Sequence, residues 1–227
     1  MRLSRYSTSK QASRRVACLC LMTVACILVS TQAGCLGLLS NLIHAAGGDK
    51  VPAAYKDLEE SRVAVVTMTE NSQFSDDIPA RILSGNVMQW LNKEVDDIEL
   101  VRADKIANWR DTHGWDQVEF AEIGRGVEAE KVLAIEVSNF KLRDGATLYR
   151  GHADVHVSVI DAKTGDMLFS SDLDDFTYPV TAGVYTNETT EARFQKLYLG
   201  ILAKRIARQF YPFDAHEDYA LDSIIAR

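Results

Sequence analysis

The chain has 227 residues and a formal net charge of −7, but its basic residues are unevenly distributed. Residues 1–34 contain five Lys and Arg and no acid, so residues 35–227 carry 20 basic and 32 acidic residues, a balance of −12. This balance argues against binding to a nucleic-acid backbone or to an anionic membrane surface, both of which require clustered Lys and Arg. Solubility is the simplest explanation of the acidity, ahead of acidic-site chemistry.

The N-terminal segment has the organisation of an export signal. A basic stretch that includes Arg14 and Arg15 precedes the apolar run from Val16 to Val29. At about 14 residues, this run is shorter than the roughly 20 residues of a membrane-spanning helix. We therefore predict a signal peptide over residues 1–34.

Cys35 directly follows this segment and is the only cysteine after it. Ala33, Gly34 and Cys35 resemble the lipobox of bacterial lipoproteins, in which small residues precede a cysteine that becomes a lipidated N-terminus. Gln32 departs from the Leu that the family prefers. The resemblance implies lipidation of Cys35, the alternatives being ordinary cleavage nearby or an uncleaved anchor. Leu36 implies sorting to an outer membrane where that rule operates.

The composition then divides the chain into segments. Residues 35–58 contain Gly47, Gly48 and Pro52, which indicates a lipidated N-terminus and a flexible tether. Residues 59–213 are long enough for a single domain, and residues 214–227 form a tail. A single cysteine cannot close an internal disulfide, so a packed core must stabilise the domain.

The first half of the domain predicts alternating strands and helices. Residues 62–68 form a β-branched run typical of a buried strand. Apolar residues at helical spacing follow to residue 95, with Pro79 in the first turn. Residues 98–101 predict a short strand, residues 104–110 a helix that breaks at 111–114, and residues 116–126 another helix.

The second half predicts a strand, a hairpin and a long helix. Residues 131–137 are continuously apolar, as in a central strand that is covered on both faces. Residues 153–159 alternate and, after a turn at Gly165, a returning strand begins at Met167. The apolar positions of residues 191–210 recur at helical spacing. They are Phe194, Leu197, Tyr198, Ile201, Leu202, Ile206 and Phe210.

Two groups of polar residues are candidate metal sites. His152 and His156 are separated by four residues, which on a strand places them roughly 13 Å apart, too far to share a metal. Asp172, Asp174 and Asp175 lack the Gly turn and distal Glu of a helix–loop–helix calcium site. We expect the two histidines on the solvated face of a hairpin strand, the three aspartates as solvated charge at a strand end, and no metal or cofactor.

His113 is the one candidate for catalysis. It lies near Asp111, Trp115 and Asp116 in a predicted loop, where a His and a carboxylate can act as acid and base. A packing corner explains the same residues. No G-x-S-x-G, Walker A or G-x-G-x-x-G motif occurs, so we expect no enzymatic activity.

Order and pattern over roughly residues 60–211 resemble a small domain found in bacterial envelope proteins. The domain resembles those of CsgG-like curli-secretion lipoproteins, the N-terminal domain of TolB and lipoprotein activators of penicillin-binding proteins. The shared features are the opening strand and helix, the entry to a strand at residues 128–133, the hairpin at 161–165 and the final helix. The resemblance implies an α/β (α+β) fold with a single mixed sheet of about five strands. Its implied order is β-α-β-α-β-β-β-α, ending in a long amphipathic helix.

The resemblance also implies a function without catalytic residues. Family members dock onto envelope proteins, which implies a non-catalytic protein-binding or scaffold module in envelope assembly, secretion or cell-wall synthesis. The module would face the periplasm, be held by acylated Cys35, bind no nucleic acid and be able to form a homo-oligomer. The alternatives are a metal-dependent or hydrolytic envelope enzyme that uses His113 and neighbouring acids, and a small-ligand-binding module with a deep apolar pocket.

Overall fold

The computed structural model describes residues 50–72, 77–115 and 119–214. Helices and strands within these residues alternate in the first half of the domain and cluster as strands in the second. Their bounds are β1 Lys50–Val51, β2 Arg62–Thr69, α1 Ile78–Glu94, β3 Glu99–Leu100, α2 Ala103–His113, α3 Phe120–Gly126, β4 Lys131–Asp144, β5 Leu148–Asp161, β6 Met167–Tyr178, β7 Val184–Tyr185, α4 Glu191–Ala207 and β8 Phe213–Asp214. None of the helices in these ranges is both long and apolar enough to cross a membrane.

The predicted α/β fold with one mixed sheet is confirmed. The main sheet has the strand order β3-β2-β4-β5-β6, and β7 adds a sixth strand by pairing with β5. β2 runs parallel to both β3 and β4, whereas β4, β5 and β6 are antiparallel to one another. β4 therefore lies at the centre of the sheet, and its first seven residues are largely buried, as the apolar run predicts.

The β5–β6 hairpin also forms as predicted. Gly165 has a positive φ of 81°, and the carboxylate of Asp161 accepts the backbone N–H groups of Lys163 and Thr164 at 2.8 Å. These two bonds hold the turn closed at its polar side.

The bounds of four elements differ from the prediction. α2 does not end at Arg110 but continues to His113, and it stops at Gly114, whose φ is 99°. α3 begins at residue 120 rather than 116, with residues 116–118 outside the described part. β4 and β5 each have 14 residues, about twice the predicted length. The second half of β4 is mostly exposed and carries no apolar run, so the sequence pattern does not predict it.

The two faces of the sheet are covered unequally. α1 and α4 pack on one face over a core that includes Leu83, Leu133, Phe194 and Tyr198. On the other face, α2 and α3 pack over β2 and the start of β4, in a smaller cluster around Ile123. The second face therefore lacks a helical cover over most of β5 and β6 among the described residues.

Candidate functional site

The uncovered part of the second sheet face is acidic. It forms an open cleft of about 520 Å³, and its acidic and histidine side chains come from the turn after β2 and from β4, β5 and β6. We call these residues the acidic sheet surface: Glu70, Glu136, Asp154, His156, Asp172 and Asp174.

Histidine and aspartate side chains pair across β5 and β6 at this surface. His156 Nδ1 lies 2.6 Å from Asp172 Oδ1, and His152 Nδ1 lies 3.1 Å from Asp175 Oδ1. Each histidine thus faces its own aspartate. In the described ranges, no group of three or more His, Cys, Asp and Glu is arranged to hold a metal ion.

Hydrogen bonds favour the ionised form of two acids, Asp154 in the acidic sheet surface and Asp175 beside it. The bond from His152 holds the pKa of Asp175 below its usual range, and Thr177 adds to the effect. Asn139 and the backbone N–H of Asp175 lower the pKa of Asp154 in the same way. Both carboxylates are therefore charged at neutral pH, which keeps this surface negative.

The acids of β6 lie inside the strand and not at its end, where the sequence predicted them. β6 carries a bulge here, since the step from Ala153 to Val155 on β5 corresponds to the step from Phe176 to Leu173 on β6. Asp175 within the bulge has a φ of 46°. The bulge turns Asp174 and Asp175 toward solvent at the outer margin of the sheet.

A groove runs along this margin between β6 and α4, with a volume of about 860 Å³. Leu173 and Phe176 line its strand side, Ile201 and Lys204 line its helix side, and Trp90 of α1 closes one wall. Lys204 Nζ lies 5.1 Å from the centre of the Trp90 ring. The β6–α4 groove is therefore apolar in its floor and charged at its rims.

The outer edge of β6 has no paired strand among the described residues. β6 is 12 residues long, and several large apolar side chains near it are exposed: Met167 at 60%, Leu168 at 42% and Val180 at 62%. Leu197, which the helical stripe placed in the core, is 43% exposed one turn before Ile201 on α4. Of these exposed apolar residues, Val180 lines the β6–α4 groove, and the others lie elsewhere on β6 and α4.

His113 is not arranged as an acid–base pair. It is the last residue of α2, and its ring stacks on Trp109 with the ring centres 4.1 Å apart. Its Nδ1 lies 2.9 Å from both the carbonyl oxygen of Trp109 and the hydroxyl of Thr112. Asp111 accepts the indole N–H of Trp115 instead. Asp116 lies outside the described residues.

A second cavity, of about 310 Å³, lies between α1 and α2. Its polar groups bond one another: Ser84 donates to Thr67 at 2.7 Å, and the buried Arg110 donates to the carbonyl oxygens of Ser72 and Trp115. The guanidinium also stacks over the Trp115 ring at 4.1 Å. These hydrogen bonds hold the polar side chains in one corner, while most of the cavity lining is apolar, so the small-ligand-binding module stays an alternative prediction.

Comparisons with known proteins identify no family for the chain. No family model and no curated protein matches it. Among solved structures, lipoprotein GNA1162 from Neisseria meningitidis is 13% identical with a TM-score of 0.42, covering 66% of this chain and 96% of its own. The PelC dodecamer from Paraburkholderia phytofirmans is 13% identical with a TM-score of 0.37, and the match covers 70% of this chain and 93% of that chain. The C-terminal domain of LpoB from Salmonella enterica is 16% identical with a TM-score of 0.36, and the match covers 60% of this chain and 91% of that chain.

Proposed function

We propose that the chain is a lipoprotein whose lipidated Cys35 holds a non-catalytic protein-docking domain at a membrane. The basic n-region, the short apolar run and the small residues before Cys35 support the anchor. Burial of acyl chains contributes about 0.8 kcal/mol per CH₂, so a cysteine with two or three chains anchors the protein stably. The domain faces the periplasm, with the outer membrane favoured by Leu36.

The observation that carries the docking role is the long outer edge of β6 beside the β6–α4 groove. A strand edge offers a row of backbone donors and acceptors, and isolated proteins rarely leave such an edge beside apolar side chains without a partner. The groove is open and lies beside this edge, which suits a polypeptide better than an enclosed small molecule. By contrast, the side chains near His113 are held in local packing contacts.

The anchor is tested by expressing the full chain as wild type, as Cys35→Ala and as Cys26→Ala in a bacterial host fed with labelled palmitate. Cys26 lies inside the predicted signal, so its substitution is the matched control. We expect label and membrane fractionation for the wild type and for Cys26→Ala, and loss of the label in Cys35→Ala. Unchanged label in Cys35→Ala refutes the anchor.

Docking is tested by crosslinking the same three variants in cells and identifying the captured proteins. We expect the wild type and Cys26→Ala to capture the same envelope protein, and Cys35→Ala to capture less of it because the domain leaves the membrane. Capture of no reproducible envelope protein by the wild type removes the docking role. Equal capture by all three variants contradicts the link between anchor and partner.

A further inference from the structure

We propose that the outer edge of β6 accepts an extended segment of a partner protein as an added strand, and that this segment alternates apolar with Lys or Arg residues. The inference rests on the docking function proposed above and specifies its chemistry. It follows from three features of the described residues: a free strand edge, an apolar wall on one side of that edge, and carboxylates on the other.

In the part of the chain that the structure describes, no strand pairs with the outer edge of β6. At about 3.4 Å per residue, the 12 residues of β6 extend roughly 40 Å. β7 pairs with Leu148 and Tyr149 of β5, beyond the position where Tyr178 of β6 pairs with Gly151. β7 therefore continues past the end of β6 and leaves its outer edge uncovered.

Alternation along β6 determines what an added strand would meet on each face. Leu173 pairs with Val155 and points to the α4 side, where Ile201 and Trp90 line the groove. Asp172 pairs with His156 on the opposite face. Because successive side chains of a strand point to opposite faces, one set of the partner's side chains would contact the groove and the other set the carboxylates.

Charge determines the residue type on each face. Asp172 and Asp174 belong to both the acidic sheet surface and the β6–α4 groove. They attract basic side chains on the open face, whereas Lys204 and Arg205 on the helix side disfavour basic side chains there. The fitting segment is thus basic on one face and apolar on the other.

The same charges argue against a second copy of the chain as the occupant. Pairing of β6 with β6 of another molecule would bring the acids of the two strands together. Like charges opposite each other destabilise a strand pair, and in this case no basic residue of β6 offsets them. A strand from a different protein with opposite charge avoids this repulsion.

The test uses the purified full chain in detergent and a fluorescein-labelled ten-residue peptide of alternating Val and Lys, with binding followed by fluorescence anisotropy at low salt. A Val–Glu peptide is the charge control. Two further Val–Lys peptides carry N-methyl groups on alternate residues, one on the Val positions and one on the Lys positions. These groups remove the backbone donors from one edge or the other.

We expect the Val–Lys peptide to bind, the Val–Glu peptide to bind at least tenfold more weakly, and only one of the two methylated peptides to lose binding, since an added strand uses one edge. Hydrogen exchange should slow at the amides of residues 167–178 when the peptide binds. Equal binding of both methylated peptides, or no binding of the Val–Lys peptide, overturns the proposal.

Charge reversal at the edge provides the matched variants. Asp174→Lys should weaken binding of the Val–Lys peptide by about tenfold, whereas Glu122→Lys on α3 changes the net charge equally and should leave binding within about twofold. Both side chains are exposed, so circular dichroism should show that both variants fold. Self-association of the wild type that the Val–Lys peptide abolishes would assign the edge to a second copy and overturn the proposal. If Asp174→Lys still captures the same envelope protein in cells, docking stands but this mode of docking is wrong.

Discussion

Gly151 offers the sharpest test of the core between β5 and α4. A Cβ built at this position would lie 2.0 to 2.5 Å from three atoms of the Tyr198 ring, where ordinary contacts begin at about 3.4 Å. Tyr198 is fully buried, and its hydroxyl donates to the carbonyl oxygen of Phe176 at 2.8 Å. The ring therefore cannot move away without breaking its contacts, and we expect Gly151→Ala to destabilise the fold.

The magnitude follows from two opposing effects. Overpacking of a close-packed core costs about 1–3 kcal/mol, and a clash with a fixed ring belongs at the upper end. Loss of glycine freedom in the unfolded chain returns about 0.4–1 kcal/mol. The net loss in the free energy of unfolding is about 2 kcal/mol, which lowers the urea midpoint by about 1 M at a slope of about 2 kcal/mol per M.

The control is Gly85→Ala in α1, where an added Cβ meets no atom within 4 Å. Because alanine favours a helix over glycine by about 1 kcal/mol, this variant should be more stable than the wild type. Urea unfolding followed by circular dichroism measures both. The explanation fails if the two variants shift the midpoint equally. If the clash with the Tyr198 ring is the cause, Gly151→Ala should lower the free energy of unfolding less in a Tyr198→Leu background than in the wild type. A double-mutant cycle measures this difference.

Two further predictions concern a helix end and a turn. Thr190 caps α4, and its hydroxyl oxygen accepts the N–H of Arg193 at 3.3 Å. Thr190→Ala should therefore lower the free energy of unfolding, measured in urea, by about 1 kcal/mol. Thr190→Ser keeps a hydroxyl at the cap and should retain most of the wild-type stability. The hydrogen bonds from Thr164 and Lys163 lower the pKa of Asp161, so its contribution to stability is present above about pH 4 and is lost as the pH falls through the lower, folded-state pKa. Asp161→Ala should therefore lose less stability between pH 5 and pH 2 than the wild type, and equal losses would refute this.

The sequence predicts the elements whose residues are buried in a regular pattern. The apolar run in β4 identifies a central strand that is buried on both faces, and the stripe of α4 identifies a helix that is buried on one face, because each kind of burial requires its own sequence pattern. The second half of β4 was missed, since its residues from Ser138 onward are largely exposed. Its strand conformation comes from pairing with β5, which depends on the tertiary structure.

The candidate site was less predictable for the same reason. Asp172 and His156 are separated by 16 residues, and only the register of the hairpin brings their side chains to 2.6 Å. Leu197 belongs to the apolar stripe by spacing, but it is 43% exposed in α4. Cys35 and the signal over residues 1–34 lie outside the described residues and stay predictions. The tether over 35–58, of which residues 50–58 are described, and the tail over 214–227, of which Asp214 is described, stay predictions as well.

The composition of β6 fits a strand edge that must stay soluble when free and still accept a partner. An apolar edge of 12 residues is a template for aggregation, and charged residues and bulges are the usual protection. Asp174 and Asp175 provide both, because they are exposed and lie in the bulge. The same carboxylates admit a strand that neutralises them. Acidity therefore serves two purposes at this edge, since it opposes pairing between copies and selects a basic segment.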